Sequence, residues 1–199
     1  MRLWTLVGML LIRRKSHEKK RLLKAFLPFA AMTAFAEQAT GKKAAVVYYS
    51  WSGNAREFAR KIAAVLGVEA FELEPKTPYT RNYGAVVEQA KRELNAMYKP
   101  PLKKLPDISD CGILFLGTPN WWGTMSSPVR TFVSEADLSG KVIAPFITHK
   151  GSRWGNYLDD LKKMAPRAKL AQGMELWSDS PKEKSATAKI SEWTKKTAI

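Results

Sequence analysis

The chain has 199 residues, of which 45% are hydrophobic and 26% are charged. This composition is that of one globular domain of ordinary size, and it argues against a disordered, collagen-like or many-domain protein. Thirty-three Lys and Arg residues against eighteen Asp and Glu residues give a formal net charge of +15. Such a charge is typical of proteins that bind nucleic acids or anionic membranes, so its position in the sequence decides what it indicates.

Nearly half of this charge lies in the first 36 residues, which hold eight basic residues and one acidic residue. The rest of the chain therefore carries a net charge of about +8. A polybasic stretch, residues 13–24, precedes an apolar run, residues 25–36, that ends on the triplet Ala34-Phe35-Ala36. This order predicts a secretory signal peptide. The chain then divides into a leader at residues 1–36, a linker at residues 37–43 and a folded domain at residues 44–199.

The leader bears on where the protein acts. Its apolar run is shorter than the roughly 20 residues that a membrane-spanning helix needs, so we expect export to the periplasm with cleavage after Ala36. The alternative is an uncleaved leader that anchors the protein or lies on a membrane, or a cytoplasmic protein. A membrane is thus a partner only if the leader is retained. Because the remaining Lys and Arg residues are spread over several predicted helices, we expect no nucleic-acid partner.

Strands and helices alternate through the rest of the chain. Residues 44–49 form a continuous apolar run of β-forming residues, as in a strand buried on both faces of a parallel sheet. Apolar residues then recur every three or four positions, as in a helix with one buried face. The two patterns repeat and predict, in chain order, strand 44–49, helix 55–66, strand 68–73, helix 83–98, strand 111–116, a helix from Ser127 to about Ala136, strand 142–148, helix 154–164, strand 170–176 and a charged, exposed helix 182–196.

Five strands that alternate with five helices predict an α/β fold: a doubly wound, three-layer sandwich around a five-stranded parallel sheet. Pro145 lies inside the fourth strand and lacks an N–H group, so we expect a less regular strand there. Ligands bind such sheets at the carboxyl ends of the strands, near the point where the strand order switches. The loops after the first, third and fourth strands are therefore the candidate site.

Metal and disulfide chemistry are not indicated by the sequence. Cys111 is the only cysteine, so no disulfide forms within the chain, and we expect its side chain in the core. His17 and His149 are the only histidines, and no Cys/His cluster has the spacing of metal ligands. We therefore predict no metal site.

The first candidate loop, residues 50–55, joins a buried strand to the start of a helix. Its two hydroxyls, glycine and asparagine suit a phosphate group, because N–H groups at a helix N terminus lack intrahelical partners and attract anions. The loop has no lysine, so it is not the nucleotide-binding motif of ATPases. A plain capped turn would use the same residue types, and this alternative stays open.

The second candidate loop carries Trp121 and Trp122, on which a flat aromatic ligand would stack. The alternative for either ring is burial in the core under the loop. Trp154 adds an aromatic residue to the third loop. Together with the first loop, these residues indicate a ligand with a planar ring system and one phosphate.

Three motifs taken together resemble the flavodoxin family, specifically its small flavodoxin-like branch, over roughly residues 43–193. They are residues 49–54, residues 117–123 and a segment that runs from Ser139-Gly140-Lys141 to residues 146–152. The resemblance implies FMN as the cofactor. Its phosphate would lie in the first loop, at Ser50, Ser52, Gly53, Asn54 and Ala55, and Trp51 of the same loop would also contact the cofactor. Its ring would lie between the second loop, at Pro119, Asn120, Trp121, Trp122 and Gly123, and the third, at Thr148, His149, Gly151 and Ser152.

The chain departs from the family pattern in the first loop and in its charge. Ala55 stands where the family usually has a hydroxyl residue, so one phosphate hydrogen bond is missing, a loss of about 1 kcal/mol. Classical flavodoxins are acidic around the flavin, whereas this body is basic. A partner that docks on an acidic flavodoxin would therefore not fit here.

His149 and Lys150 are the candidate catalytic residues. His149 is the only residue of the body whose ordinary pKa suits a proton donor near neutral pH, and the alternative is a hydrogen-bonding role that holds the third loop. Lys150 stands where many relatives have glycine. It would stabilise the anionic reduced flavin and raise its reduction potential.

The resemblance implies an FMN-binding protein that acts in electron transfer or as a small flavin-dependent reductase. A carrier is favoured over an enzyme. The expected partner is a redox protein or a small electron acceptor, and the expected oligomeric state is a monomer. The alternative is a flavodoxin-fold binding module without redox turnover, in which the altered first loop has weakened or lost the cofactor.

Overall fold

The computed structural model describes residues 43–199. The predicted leader and linker lie outside the described residues, except for Lys43. The strands are β1 Lys43–Tyr48, β2 Ala70–Glu72, β3 Cys111–Trp121, β4 Thr124–Met125, β5 Val142–His149, β6 Lys169–Leu170 and β7 Met174–Trp177. The helices are α1 Asn54–Leu66, α2 Tyr83–Asn95, α3 Ser127–Glu135, α4 Tyr157–Met164 and α5 Lys184–Thr197, with a short 3-10 turn at Ser180–Lys182. Within residues 43–199, no helix combines the length and apolar character needed to cross a membrane.

The strands form one sheet in the order β2-β1-β3-β5, and both β6 and β7 lie beside β5. All of these pairs are parallel, and β4 adds a short antiparallel hairpin to β3. Helices α1 and α5 pack on one face of the sheet, and α2, α3 and α4 pack on the other. The predicted doubly wound, three-layer α/β sandwich is therefore confirmed. Its strand order switches between β1 and β3, so a crevice is expected where these strands end.

Strand β3 is longer than the predicted strand 111–116 and continues through residues 117–121. Its last two residues pair with β4 in a hairpin. Because the hairpin holds this segment as strand, the backbone at Asn120 and Trp121 is fixed by ladder hydrogen bonds, and residues 117–121 are not a free loop.

The single predicted strand 170–176 is divided into β6 and β7. Pro145 explains where the division falls. It lies in register with Leu116 inside a regular β5, while β6 ends beside Ile143 and β7 begins beside Phe146. The residue without an N–H group thus lies where the neighbouring strand is interrupted, so no ladder bond is lost and β5 stays regular.

The final helix is partly buried, whereas the sequence pattern predicts an exposed helix. In α5, Ala186, Ile190 and Thr194 are buried. Trp193 packs edge-on against Phe115, with 5.4 Å between the ring centroids. The four-residue spacing of small and apolar side chains gives α5 a narrow face that packs against α1.

Gly117→Ala is expected to lower the free energy of unfolding by about 3 kcal/mol, the upper end of what overpacking costs. An added Cβ at Gly117 would lie 2.0 Å from Cζ of Phe146. That ring is fully buried and packs on Phe58 at 4.8 Å, so it has no room to retreat. Urea unfolding of the variant would measure the loss. Gly84→Ala is the control, because its Cβ would meet only Asn82 Oδ1, at an ordinary 3.5 Å; equal losses in both variants would contradict the packing argument.

Candidate functional site

A cleft of about 630 Å³ opens at the carboxyl ends of β1, β3 and β5. Its walls come from the three loops predicted as the site, from one side of α2 and from the segment after β7. The lining residues are Trp51, Ser52, Asn54, Tyr83, Val86, Val87, Ala90, Pro119, Asn120, Trp121, Trp122, Gly123, Thr148, His149, Lys150, Ser152, Ser178, Asp179 and Lys182.

Most of the predicted site residues therefore meet in one place. Trp51, Ser52 and Asn54 come from the first loop, the whole of 119–123 comes from the second, and Thr148, His149, Lys150 and Ser152 come from the third. Four predicted residues do not line the cleft: Ser50, Gly53, Ala55 and Gly151. Two of these, Ser50 and Gly53, instead hold the first loop in its turn, because the N–H of Gly53 donates to Ser50 Oγ at 3.1 Å.

The first loop presents a polar cradle at the start of α1. Gly53 has a φ of 89°, a left-handed conformation that glycine adopts without strain. No side chain caps α1, and N–H groups in a first helical turn have no intrahelical partners. Asn54 is only 5% exposed, yet nothing among residues 43–199 donates a hydrogen bond to its Oδ1. A phosphate accepts hydrogen bonds and does not donate them, so it would be held by the backbone N–H groups and by Nδ2 of Asn54, while Oδ1 would need a donor such as a ligand hydroxyl.

The two tryptophans of the second loop have different environments. Trp121 lines the cleft, and it also meets Tyr49 and Tyr79 edge-on, with centroids 5.6 and 5.1 Å away. The Tyr79 hydroxyl donates to Glu93 Oε2 at 2.6 Å, and burial, followed by this hydrogen bond, raises the pKa of Tyr79 well above its usual value. Trp121 is therefore a wall of the cleft supported by a fixed aromatic cluster.

Trp122 lies at the mouth of the cleft and is 52% exposed. Its Nε1–H donates to the carbonyl of Val87 at 2.9 Å, and Lys91 Nζ lies 4.8 Å from its ring centroid. These contacts join the second loop to α2. Of the two tryptophans, Trp122 is the ring that solvent reaches, and Trp121 is the one packed against the core.

Asn120 ties the second loop to the third. Its Oδ1 accepts from the N–H of Gly123 at 2.9 Å, and its Nδ2 donates to the carbonyl of Arg153 at 2.8 Å. The carbonyl of Gly123 also accepts from the N–H of Asn156 at 2.6 Å. The backbones approach so closely that a Cβ on Gly155 would lie 2.1 Å from the Gly123 oxygen. The two loops therefore form one unit.

His149 is buried between the third loop and β7. Its Nδ1 accepts from the N–H of Gly151 at 3.2 Å, and its Nε2 lies 4.0 Å from Glu175 Oε2. The carboxylate of Glu175 also pairs with Arg153. Burial lowers the pKa of His149; Glu175 opposes this effect and Arg153 adds to it. Both ring nitrogens thus face protein groups, and this geometry matches the loop-holding role that was the alternative to proton donation.

Arg153→Gln is expected to raise the pKa of His149. The substitution removes the positive charge that lowers this pKa, while the Glu175 carboxylate that raises it stays in place. In the native protein the folded-state pKa lies below the ordinary value of 6.5, so stability falls as the pH drops from about 6.5 toward that pKa. An NMR titration of the imidazole would measure the pKa of both forms. The same midpoint with and without Arg153 would refute the assignment of causes.

Trp154 does not line the cleft, so the prediction that its ring contributes to the ligand site is wrong. Its ring stacks on Tyr157 at 6.0 Å and packs against the core. A Cβ on Gly173 would meet the Trp154 ring at 2.5 Å, so the indole fills the space beside the break in the fifth strand.

Two walls of the cleft are not predicted from the sequence. One wall consists of side chains of α2, and the other follows β7. The wall after β7 could have been predicted, because Ser178 and Asp179 also follow the carboxyl end of a strand. The residues missed are Tyr83, Val86, Val87, Ala90, Ser178, Asp179 and Lys182.

The comparisons with known proteins agree with this fold. A family model described as flavodoxin matches residues 43–197, so the chain belongs to the flavodoxin family. Among solved structures, a candidate flavoprotein from Bacteroides eggerthii is 27% identical, with a TM-score of 0.68, over 79% of this chain and 98% of its own. A flavoprotein from Lactobacillus acidophilus in complex with FMN is 20% identical, with a TM-score of 0.60, over 70% of this chain and 95% of its own.

Proposed function

We propose that this protein binds FMN in the cleft and acts in electron transfer, as a carrier or as a small flavin-dependent reductase. The observation that carries the proposal is the pairing of an open helix N terminus with aromatic walls in a single cleft. Family membership and the FMN complex of the Lactobacillus acidophilus relative support it.

The residues present fit the group. The phosphate would be held at the start of α1 by backbone N–H groups, by the Ser52 hydroxyl and by the donor nitrogen Nδ2 of Asn54. Trp121 and Pro119 would form one wall for the ring, and Thr148 and Lys150 the other. When bound, FMN supplies the redox chemistry, and the protein orients the ring and adjusts its potential.

Flavin binding and redox turnover can be tested with the purified full-length chain. Titration with FMN should give the absorbance spectrum of protein-bound flavin and quench its fluorescence, and anaerobic reduction followed by reoxidation should be reversible. A chain that stays colourless with excess FMN would refute the cofactor assignment. A chain that binds FMN but shows no electron exchange with small acceptors would instead support the binding-module alternative.

Lys150→Glu is expected to lower the reduction potential of the bound flavin. Lys150 lines the cleft, and a positive charge near the ring favours the reduced form. Because about 1.4 kcal/mol corresponds to about 30 mV for a two-electron couple, we expect a shift of tens of millivolts. Redox titration would measure it. Lys163→Glu, an exposed position of α4 outside the cleft, is the control; equal shifts in both variants would contradict a local effect.

We also propose that the protein is exported, because of the leader at residues 1–36. N-terminal sequencing of protein from its native host would test this. Cleavage after Ala36 is the expected result. An intact N terminus would support the anchored or cytoplasmic alternative.

A further inference from the structure

Two exposed aromatic rings border the mouth of the cleft, and a third lies beside them against His149. Tyr83 is 67% exposed, and Trp122 and Trp177 are each 52% exposed. Tyr83 and Trp122 line the cleft directly, and Trp177 meets His149 edge-on with 6.0 Å between the ring centroids. Scattered exposed apolar residues need no explanation, but a group of aromatic rings beside one opening is typical of an interaction site.

Basic side chains lie between these rings. Lys91 covers the ring of Trp122, Lys150 and Lys182 line the cleft, and Arg153 is exposed in the third loop. We call these four cations and the three aromatic rings the mouth surface. Exposed aromatic rings mixed with cations suit a partner of opposite charge.

Acidic groups at the mouth offset part of this positive charge. Asp179 is exposed and lies 4.0 Å from Lys182. Glu88 is exposed on α2, one turn from Lys91. Glu175 is mostly buried behind the third loop and is paired with Arg153. The four cations therefore exceed the three acidic groups by one charge, and within residues 43–199 Lys91 and Lys150 are the two of these cations that form no salt bridge.

We propose that the mouth surface docks the acidic face of a redox partner protein and steers it to the cleft. The proposal rests on the proposed function, because the occupant must exchange electrons with a flavin behind these rings. A protein is favoured over an anionic membrane for the same reason: Tyr83 and Trp122 border the opening through which electrons would pass. Charge complementarity of this kind accelerates encounter and is screened by salt.

The first test uses two small one-electron acceptors of opposite charge. Protein loaded with FMN is reduced anaerobically and mixed with ferricyanide or with hexaammineruthenium(III); each metal ion gains one electron from the reduced flavin. The ferricyanide rate should fall several-fold as ionic strength rises, and the ruthenium rate should not fall. In the double variant Lys91→Gln with Lys182→Gln, ferricyanide at low salt should react several-fold more slowly. Dividing the ferricyanide rate by the ruthenium rate cancels any change in the reduction potential of the flavin, because such a change affects both reactions.

The matched control is Lys162→Gln with Lys163→Gln, two exposed lysines of α4 that do not line the cleft. It removes the same charge and should leave both rates unchanged. If the two double variants behave alike, or if the ferricyanide rate is independent of salt, the mouth surface is not an electrostatic docking site. These outcomes differ from failure of the proposed function, in which the chain would bind no FMN.

A second test identifies the class of occupant. Poly-L-glutamate should slow the oxidation by ferricyanide at low salt, and more of it should be needed in the Lys91→Gln, Lys182→Gln variant than in the control variant. Vesicles of phosphatidylglycerol should have no such variant-dependent effect. If the vesicles, and not the polypeptide, slow the reaction through Lys91 and Lys182, the mouth surface binds membranes and the proposal is overturned.

Discussion

Gly155→Ala is expected to raise the dissociation constant for FMN at least tenfold while leaving a folded domain. Its Cβ would lie 2.1 Å from the carbonyl oxygen of Gly123, so the second and third loops must separate. This separation would also weaken the hydrogen bond from Asn156 to the same carbonyl and the link through Asn120. A loss of about 1.4 kcal/mol in binding corresponds to the tenfold change. Fluorescence titration with FMN would measure the affinity, and far-UV circular dichroism would verify folding.

Gly140→Ala separates the clash from the cost of the backbone conformation. Gly140 has a φ of 71° and Gly155 has one of 52°, so alanine is strained at both by about 1–2 kcal/mol. At Gly140, however, an added Cβ meets no atom of the described part of the chain within 4 Å. We expect this variant to lose stability but to keep its affinity for FMN. Equal loss of affinity in the two variants would show that loop separation is not the cause.

Asn54→Asp is expected to weaken FMN binding at least a hundredfold. The substitution keeps the shape of a buried side chain but places a carboxylate in the phosphate cradle. Two unit charges 4 Å apart repel by about 4 kcal/mol at an effective dielectric constant of about 20. Without ligand, the same carboxylate interacts favourably with the N terminus of α1, which offsets part of the cost of burying its charge.

Riboflavin, which lacks the phosphate, distinguishes this effect from general damage. Its affinity should be almost the same for the wild type and for Asn54→Asp. Asn156→Asp is the control variant, because Asn156 is exposed at the start of α4 and does not line the cleft. If riboflavin affinity falls as far as FMN affinity, or if Asn156→Asp has the same effect, Asn54 does not face the phosphate.

Much of the fold and of the site could be predicted from local patterns. The apolar run of residues 44–49 and the three- and four-residue periodicity of α1 indicated a parallel sheet with covering helices, and the rule for such sheets located the cleft at the carboxyl ends. Cys111 is buried, as expected. The rings of Trp121 and Trp122 could not be distinguished from sequence alone, because their environments depend on Tyr79 and α2, which are distant in the chain.

Other features depend on long-range packing and so were not predicted. The break in the fifth strand requires the pairing of Pro145 and the position of Trp154 to be known together. The α2 wall of the cleft looks like an ordinary amphipathic helix, whose apolar face is normally assigned to the core. Only the tertiary structure shows that Val86, Val87 and Ala90 also border an open space.

The joined second and third loops affect the thermodynamics of cofactor binding. Asn120 and the close approach of Gly123 to Gly155 restrict both loops before any ligand arrives. A flexible loop loses conformational entropy when it closes on a ligand, and each ordered residue costs about 1–2 kcal/mol. Here that loss has already occurred during folding. Binding of a flat ring should therefore have a small entropic penalty, so contacts with the walls contribute almost fully to affinity.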